Sequence, residues 1–155
     1  MFELEVPGYK TLRLKNIVLD FNGTISCDGK LLPGVADRLM ELKEKFAVHV
    51  VTADTFGTVR EQMEGLARIK VLETGDHREE KRAFVAQLGR DSVAAFGNGR
   101  NDVMMLKEAS LGIALCQREG AAAGALQAAD IVCNDILDGL DLLRFPMRLL
   151  ATLRA

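Results

Sequence analysis

Cysteine, histidine, blocks of like charge and long apolar runs are all scarce in this chain of 155 residues. Cys27, Cys116 and Cys133 are an odd and scattered set, without the close Cys-x-x-Cys pairing of zinc or thiol redox sites and without the makings of a disulfide framework. Cys116 and Cys133 lie in apolar runs and read as reduced thiols serving as small apolar residues. Cys27 follows a polar turn segment and is harder to assign to packing. His49 lies inside the apolar run Ala47–Val51 and His77 in a polar stretch, so neither has the partners of a metal site or a catalytic triad. The 20 basic and 22 acidic residues, formal charge −2, are interspersed, which removes the basic patch of a nucleic-acid or anionic-membrane binder. The first thirty residues mix charges, a proline and short apolar runs, unlike a signal peptide. No later run reaches the ~20 apolar residues of a membrane span. These absences predict a cytoplasmic protein with no nucleic-acid and no membrane partner.

What is present is a 48% hydrophobic chain of one domain's length, 1–155, with no repeat or low-complexity tract. Apolar runs of strand length recur at Ile17–Phe21, Ala47–Val51, Ile69–Leu72, Val93–Phe96, Leu111–Leu115 and Asp130–Cys133. Between them, helices are predicted over Val35–Phe46, Phe56–Ala67, Arg78–Leu88, Asp102–Ala109, Gly120–Ala128 and Ile136–Leu153. Continuous rather than alternating apolar strands suit a sheet covered by helices on both faces, so the fold class is α/β with a doubly wound, mostly parallel sheet. Phe2–Val6 and Thr11–Leu14 flank a Pro7-Gly8-Tyr9-Lys10 turn and predict a short hairpin accessory at the edge, over residues 1–15. Residues 16–143 form the core and 136–153 a C-terminal helix. The stretch from Asn22 to Gly34 is too short for a separate cap domain.

Ligands of such sheets bind beyond the carboxyl ends of the strands. Asp20 follows Ile17-Val18-Leu19 and is delivered to that edge, where Gly23 permits a tight turn and Thr24 offers a hydroxyl to a phosphate oxygen. On these residues alone, a functional site and a capped turn are equally good readings. Other strands end in polar residues in the same sense: Thr52-Ala53 after Val48–Val51, and Gly97-Asn98-Gly99-Arg100-Asn101-Asp102 after Ala94–Phe96. Lys81 lies on a helix whose amino end can face the same edge, although its run Arg78–Arg82 also reads as a solvated face.

Asp20-Phe21-Asn22-Gly23-Thr24, Thr52, Lys81 and Gly97–Asp102, in that order, resemble the four motifs of the haloacid dehalogenase-like (HAD) superfamily. The run from Gly97 to Asp102, Leu111-Gly112-Ile113-Ala114 and Ala128-Ala129-Asp130-Ile131-Val132 resemble segments of P-type ATPase phosphorylation domains and of small soluble proteins like them. The resemblance covers roughly Asn16 to Leu143. It implies a capless Rossmannoid core and a Mg2+-dependent phosphohydrolase or phosphotransferase acting on a small phosphorylated molecule. Asp20 would be the nucleophile, forming an aspartyl-phosphate. Thr52 and Lys81 would bind the phosphoryl oxygens, with Gly23, Thr24, Ala53 and Asn101 around them. Mg2+ would be held by Asp20, the Asn22 carbonyl, Asn98 and Asp102. Capless relatives imply a homo-oligomer, through the hairpin after Asn22 or the C-terminal helix.

Two positions depart from the superfamily pattern. Asn22 stands where a phosphatase has its acid-base aspartate, and general acid-base help is typically worth about 10²- to 10⁴-fold. Asn98 stands where a metal-binding aspartate is usual. Together they predict slow release of the phosphoryl group, and they also fit a second reading, a phosphate-binding regulatory or interaction module with little or no activity. A receiver domain like those of response regulators is a third, distant reading that the Gly23-Thr24 and Gly97–Asp102 segments oppose. Ser26, Asp28, Lys30, Asp54 and Arg100 are the loop residues placed to meet a leaving group.

Overall fold

The structure is a computed structural model that describes residues 2–53, 58–73 and 75–155. In chain order its elements are β1 (Phe2–Glu5), β2 (Thr11–Leu14), β3 (Asn16–Asp20), β4 (Ser26–Cys27), β5 (Lys30–Leu31) and α1 (Val35–Leu42), then β6 (Ala47–Thr52), α2 (Thr58–Met63), β7 (Arg68–Val71) and α3 (His77–Leu88). β8 (Val93–Gly97), α4 (Val103–Glu108), β9 (Leu111–Leu115), α5 (Ala123–Ala128), β10 (Ile131–Cys133), α6 (Ile136–Arg144) and α7 (Pro146–Leu153) complete it. Six strands form one sheet in the order β10-β9-β8-β3-β6-β7, every neighbouring pair parallel.

Period-two alternation on these strands fills two cores, one on each face. Ile17 and Leu19 of β3, Val50 of β6 and Phe96 of β8 face one side with Leu39, Met63 and Leu140 from α1, α2 and α6. Val18, Val51, Ala95 and Ala114 face the other with Val85, Met105 and Ala125 from α3, α4 and α5. Burial of both faces is why these strands read as unbroken apolar runs. The chain leaves β3 for β6 and β7 on one side, then returns to β8 on the other. The loops after β3 and β8 therefore diverge at the switch point where such sheets place ligands.

Several elements differ from the sequence reading. The predicted helix 136–153 is two helices, because Pro146 cannot donate to a continuing ladder and instead starts α7. α1 stops at Leu42, and a turn at residues 43–45 carries Phe46 into the core beside Phe2, with ring centroids 5.8 Å apart. α5 begins at Ala123, after Ala122, which is extended at ψ 136° and donates its N–H to the Asn98 carbonyl, 2.8 Å away. The N-terminal hairpin is present, but it is a separate two-stranded ribbon and not an addition to the sheet edge. Its Phe2, Val6, Leu12 and Leu14 belong to the core, and Ala155 N–H reaches the Pro7 carbonyl. Phe56, the predicted start of the second helix, lies outside the described residues. Among the described residues no helix is long and apolar enough to cross a membrane.

His49 is a core residue of β6, its Nε2 3.4 Å from Asn16 Oδ1 and its ring edge-on to Phe84. Burial, helped by the Arg68 charge, holds its proton affinity below the ordinary value near 6.5. The folded state then binds fewer protons than the unfolded chain below that pH, so this contribution to stability is intact above about 6.5 and lost as pH falls. Thermal denaturation of wild type and His49→Gln should show their difference shifting in favour of the variant between pH 7 and 5. A difference independent of pH contradicts the buried, neutral imidazole.

Candidate active site

Asp20 ends the central strand β3, and the next residues fold back beneath it. The Phe21 carbonyl accepts the N–H groups of Ile25 and Ser26, both at 3.1 Å, and the Ser26 hydroxyl at 2.9 Å. Gly23 makes the turn at φ 80°, a conformation costly for other residues, with the Asn98 side chain packed where a Cβ would point. The turn places the Thr24 hydroxyl 3.1 Å from Asp20 Oδ2 and 3.2 Å from Asn98 Oδ1, and its single proton serves one acceptor at a time.

Lys81 enters from α3 and is 1% exposed. Its ammonium donates to Asp20 Oδ1 at 3.0 Å, Asn101 Oδ1 at 3.1 Å and Asp102 Oδ1 at 2.7 Å, which uses all three N–H groups. Asp102 Oδ2 accepts the backbone N–H groups of Asn98 (3.0 Å) and Gly99 (2.9 Å), so the 97–102 loop is wound around this carboxylate. An ideal Cβ on Gly97 would sit 2.5 Å from Asp102 Cγ, so glycine is what lets the carboxylate lie there.

Two buried carboxylates thus share one ammonium, and with both ionised the cluster carries a net charge of −1. Burial pushes the Asp20 carboxyl up and the Asp102 charge adds to it, while Lys81 and Thr24 oppose; the outcome is about 7. Burial alone would lower the Lys81 ammonium, but Asp20 and Asp102 outweigh it and hold the group charged.

Asp20, Asn22, Thr52, Ala53, Lys81, Asn98 and Asn101 line one cavity of about 200 Å³. Gly23, Thr24 and Asp102 are buried, and none of the three lines that cavity. Thr52 ends β6 beside Asp20's strand, 3% exposed. Of the leaving-group candidates, Ser26 is buried and held by Phe21, while Asp28 and Lys30 sit at the exposed β4–β5 hairpin. Arg100 lies in the 97–102 loop, and Asp54 lies outside the described residues.

The donor set fits a hard divalent cation. Asp20 and Asn98 offer side-chain oxygens, and among the described residues no hydrogen bond takes the Asn22 carbonyl oxygen. Asn98 Nδ2 donates to the Gly120 carbonyl at 3.1 Å, which turns its Oδ1 toward Thr24 and Asp20. The uncompensated negative charge is of the sign a cation would neutralise. Asp102, fully buried and with both oxygens engaged, contributes charge from behind Lys81 and organises the loop.

Gln117 was not legible as a site residue. Its amide donates to the carbonyls of Thr24 (2.9 Å) and Gly23 (3.3 Å) and accepts the Ile136 N–H (2.8 Å), tying the loop after Asp20 to the start of α6. The available signal was its position just after β9, on the carboxyl edge of the sheet.

A model of the haloacid dehalogenase-like hydrolases matches residues 81–139, from Lys81 through the 97–102 loop to α6. The chain belongs to the haloacid dehalogenase-like family. An uncharacterised protein of Methanocaldococcus jannaschii is 38% identical over 91 residues, covering 59% of this chain and 88% of that protein. The HAD fold is shared with the 3-deoxy-D-manno-octulosonate 8-phosphate phosphatase of Moraxella catarrhalis, solved with magnesium, phosphate and the KDO molecule. That match has a TM-score of 0.67 and 16% identity over 84% of this chain and 85% of the other. The catalytic domain of the CPx-ATPase CopB-B matches with a TM-score of 0.61 and 25% identity, over 74% of this chain and 46% of that one. The P-type ATPase likeness and the HAD motifs read from the sequence thus meet in one fold, a six-stranded parallel sheet with helices on both faces.

The raised Asp20 has a consequence for stability. Between the ordinary carboxyl value of 3.8 and about 7 the folded state holds a proton on Asp20 that the unfolded chain does not. Stability from this group therefore falls as pH rises through that window. In metal-free protein Asp20→Asn should be more stable than wild type at pH 8, with the gap closing toward pH 5 in thermal melts. A variant less stable at pH 8 contradicts the excess of buried negative charge.

Proposed function

We infer that this HAD-family chain is a phosphohydrolase or phosphotransferase that works through an aspartyl-phosphate on Asp20, with Mg2+ as its cofactor. The observation that carries the reading is the convergence of Asp20, Lys81 and the 97–102 loop on one cavity at the switch point of the sheet. A bound cation would be held by Asp20, the Asn22 carbonyl and Asn98, and would supply charge neutralisation for the phosphoryl oxygens and the nucleophile. Asp20 attacks phosphorus in line with the leaving group, forming an O–P bond as the ester or anhydride bond breaks. Lys81 and Thr52 stabilise the equatorial oxygens, Lys81 with a charge already held in place.

Asn22 is exposed toward the same cavity but has no proton to exchange near neutral pH. A poor leaving group therefore departs slowly, and water attacking the aspartyl-phosphate has no side-chain base at that position. The phosphoenzyme should accumulate where a phosphatase with aspartate there would discharge it.

Incubation with acetyl phosphate or an aryl phosphate plus Mg2+, followed by intact-mass analysis, should show one added phosphoryl group on wild type and none on Asp20→Asn. Asn22→Asp should shorten the adduct's lifetime by about 10²-fold or more. No adduct and no turnover, with wild type matching Asp20→Asn, would sink the reading.

A further inference from the structure

A groove of about 550 Å³ adjoins the catalytic cavity, sharing Gly99 and Asn101 with it. Its other walls are Arg100 and the residues that open α3, from Gly75 to Arg78. Lys81 lies one helical turn further along α3, so catalytic cavity and groove are about 5 to 6 Å apart along the helix axis. That volume suits a small metabolite fragment.

The hydrogen-bonding capacity left in the groove is predominantly that of donors. Asp76 is the one carboxylate in its wall, and its Oδ1 is engaged, accepting the Arg78 N–H at 3.0 Å and Arg78 Nε at 3.3 Å, so the Arg78 guanidinium offsets its charge. His77 Nε2 lies 2.7 Å from the Glu73 carbonyl, which can only accept, so that nitrogen carries a proton and is used. The side-chain acceptors that remain are Asp76 Oδ2 and the other imidazole nitrogen. Asn101 turns its Oδ1 to Lys81, which leaves its two Nδ2 hydrogens at the junction of cavity and groove. Arg100 is exposed, and among the described residues its guanidinium has no hydrogen bond or ion pair. Beyond the Lys81 charge, whose own N–H groups are engaged, uncommitted donors run outward from Asn101 to Arg100.

We propose that the leaving group of the substrate lies in this groove and bears a second anionic group, a carboxylate or a phosphate, bound by Arg100 and Asn101. This rests on the phosphohydrolase reading of the Asp20 site and adds to it a substrate class: small phosphorylated compounds with two anionic groups separated by a short spacer. Arg100 is then the specificity residue, presenting a planar fork to a planar or tetrahedral anion.

The test is calorimetric binding of benzylphosphonate and of its 3-carboxy and 3-phosphono derivatives to the full chain in Mg2+. None of the three can be hydrolysed, so affinity is read without turnover. At least one dianionic derivative should bind about tenfold more tightly than benzylphosphonate, and the larger gain identifies the second anion as carboxylate or phosphate. Arg100→Ala should bring the ratio close to one and Arg100→Lys should keep part of it. Equal affinities for the three ligands, including no detectable binding of any, overturn the proposal, as does a gain that survives Arg100→Ala. Turnover of 4-nitrophenyl phosphate by the same preparation reports separately on the phosphohydrolase reading.

Discussion

One ammonium group facing two buried carboxylates is the constraint around which this molecule is arranged. Lys81 Nζ lies between Asp20 and Asp102 at 3.0 and 2.7 Å, and all three residues are buried. Buried ions are tolerated only when paired and hydrogen-bonded, and here the pairing is incomplete by one negative charge. Burial raises Asp20, the second carboxylate adds to it, and the excess charge is of the sign a cation would neutralise. Asp102 meets the same constraint by drawing the N–H groups of Asn98 and Gly99 onto its second oxygen, which winds the loop after β8.

The rest of the fold serves that arrangement. Parallel strands bring the ends of β3, β6 and β8 to one edge, and the reversal of strand order between β3 and β8 opens the crevice in which the cluster sits. Small residues do the close work: Gly23 against Asn98, and Gly97 against Asp102. Gln117 closes the arrangement from the far side by bonding to the loop after Asp20 and to the first turn of α6. A site assembled from five separate segments in this way has its charged groups positioned by hydrogen bonds within the protein, which is what electrostatic stabilisation of a phosphoryl group needs.

Much of this was legible in the sequence because the signals were strong and local. Continuous apolar runs identified the sheet strands, and Asp20, Thr52, Lys81 and the segment from Gly97 to Asp102 each sit where a strand or helix delivers them to the edge. The rest depended on contacts between distant segments. Nothing in the pattern of residues 136–153 outweighed helical periodicity except Pro146, whose missing N–H divides the helix in two. The N-terminal hairpin is turned away from the sheet by burial of Phe2, Leu12 and Leu14 against the core, a tertiary preference that strand pattern alone does not carry. Gln117 has no charge and belongs to no recognisable motif; its role exists only because three chain segments meet at its amide. The full burial of Asp102 was equally hidden, since a sequence does not say which of two carboxylates faces the cavity and which one holds the loop.

The charge deficit at Lys81 can be measured directly. Isothermal titration of the protein with Mg2+ near pH 7, repeated in buffers of different ionisation enthalpy, counts the protons released on binding. An Asp20 carboxyl that titrates at about 7 should lose a substantial fraction of a proton to the buffer when the cation binds, and Asp20→Asn should release none. Binding of Mg2+ without proton release by wild type, or release unchanged in Asp20→Asn, would contradict the account of the site given by the Asp20, Lys81 and Asp102 cluster.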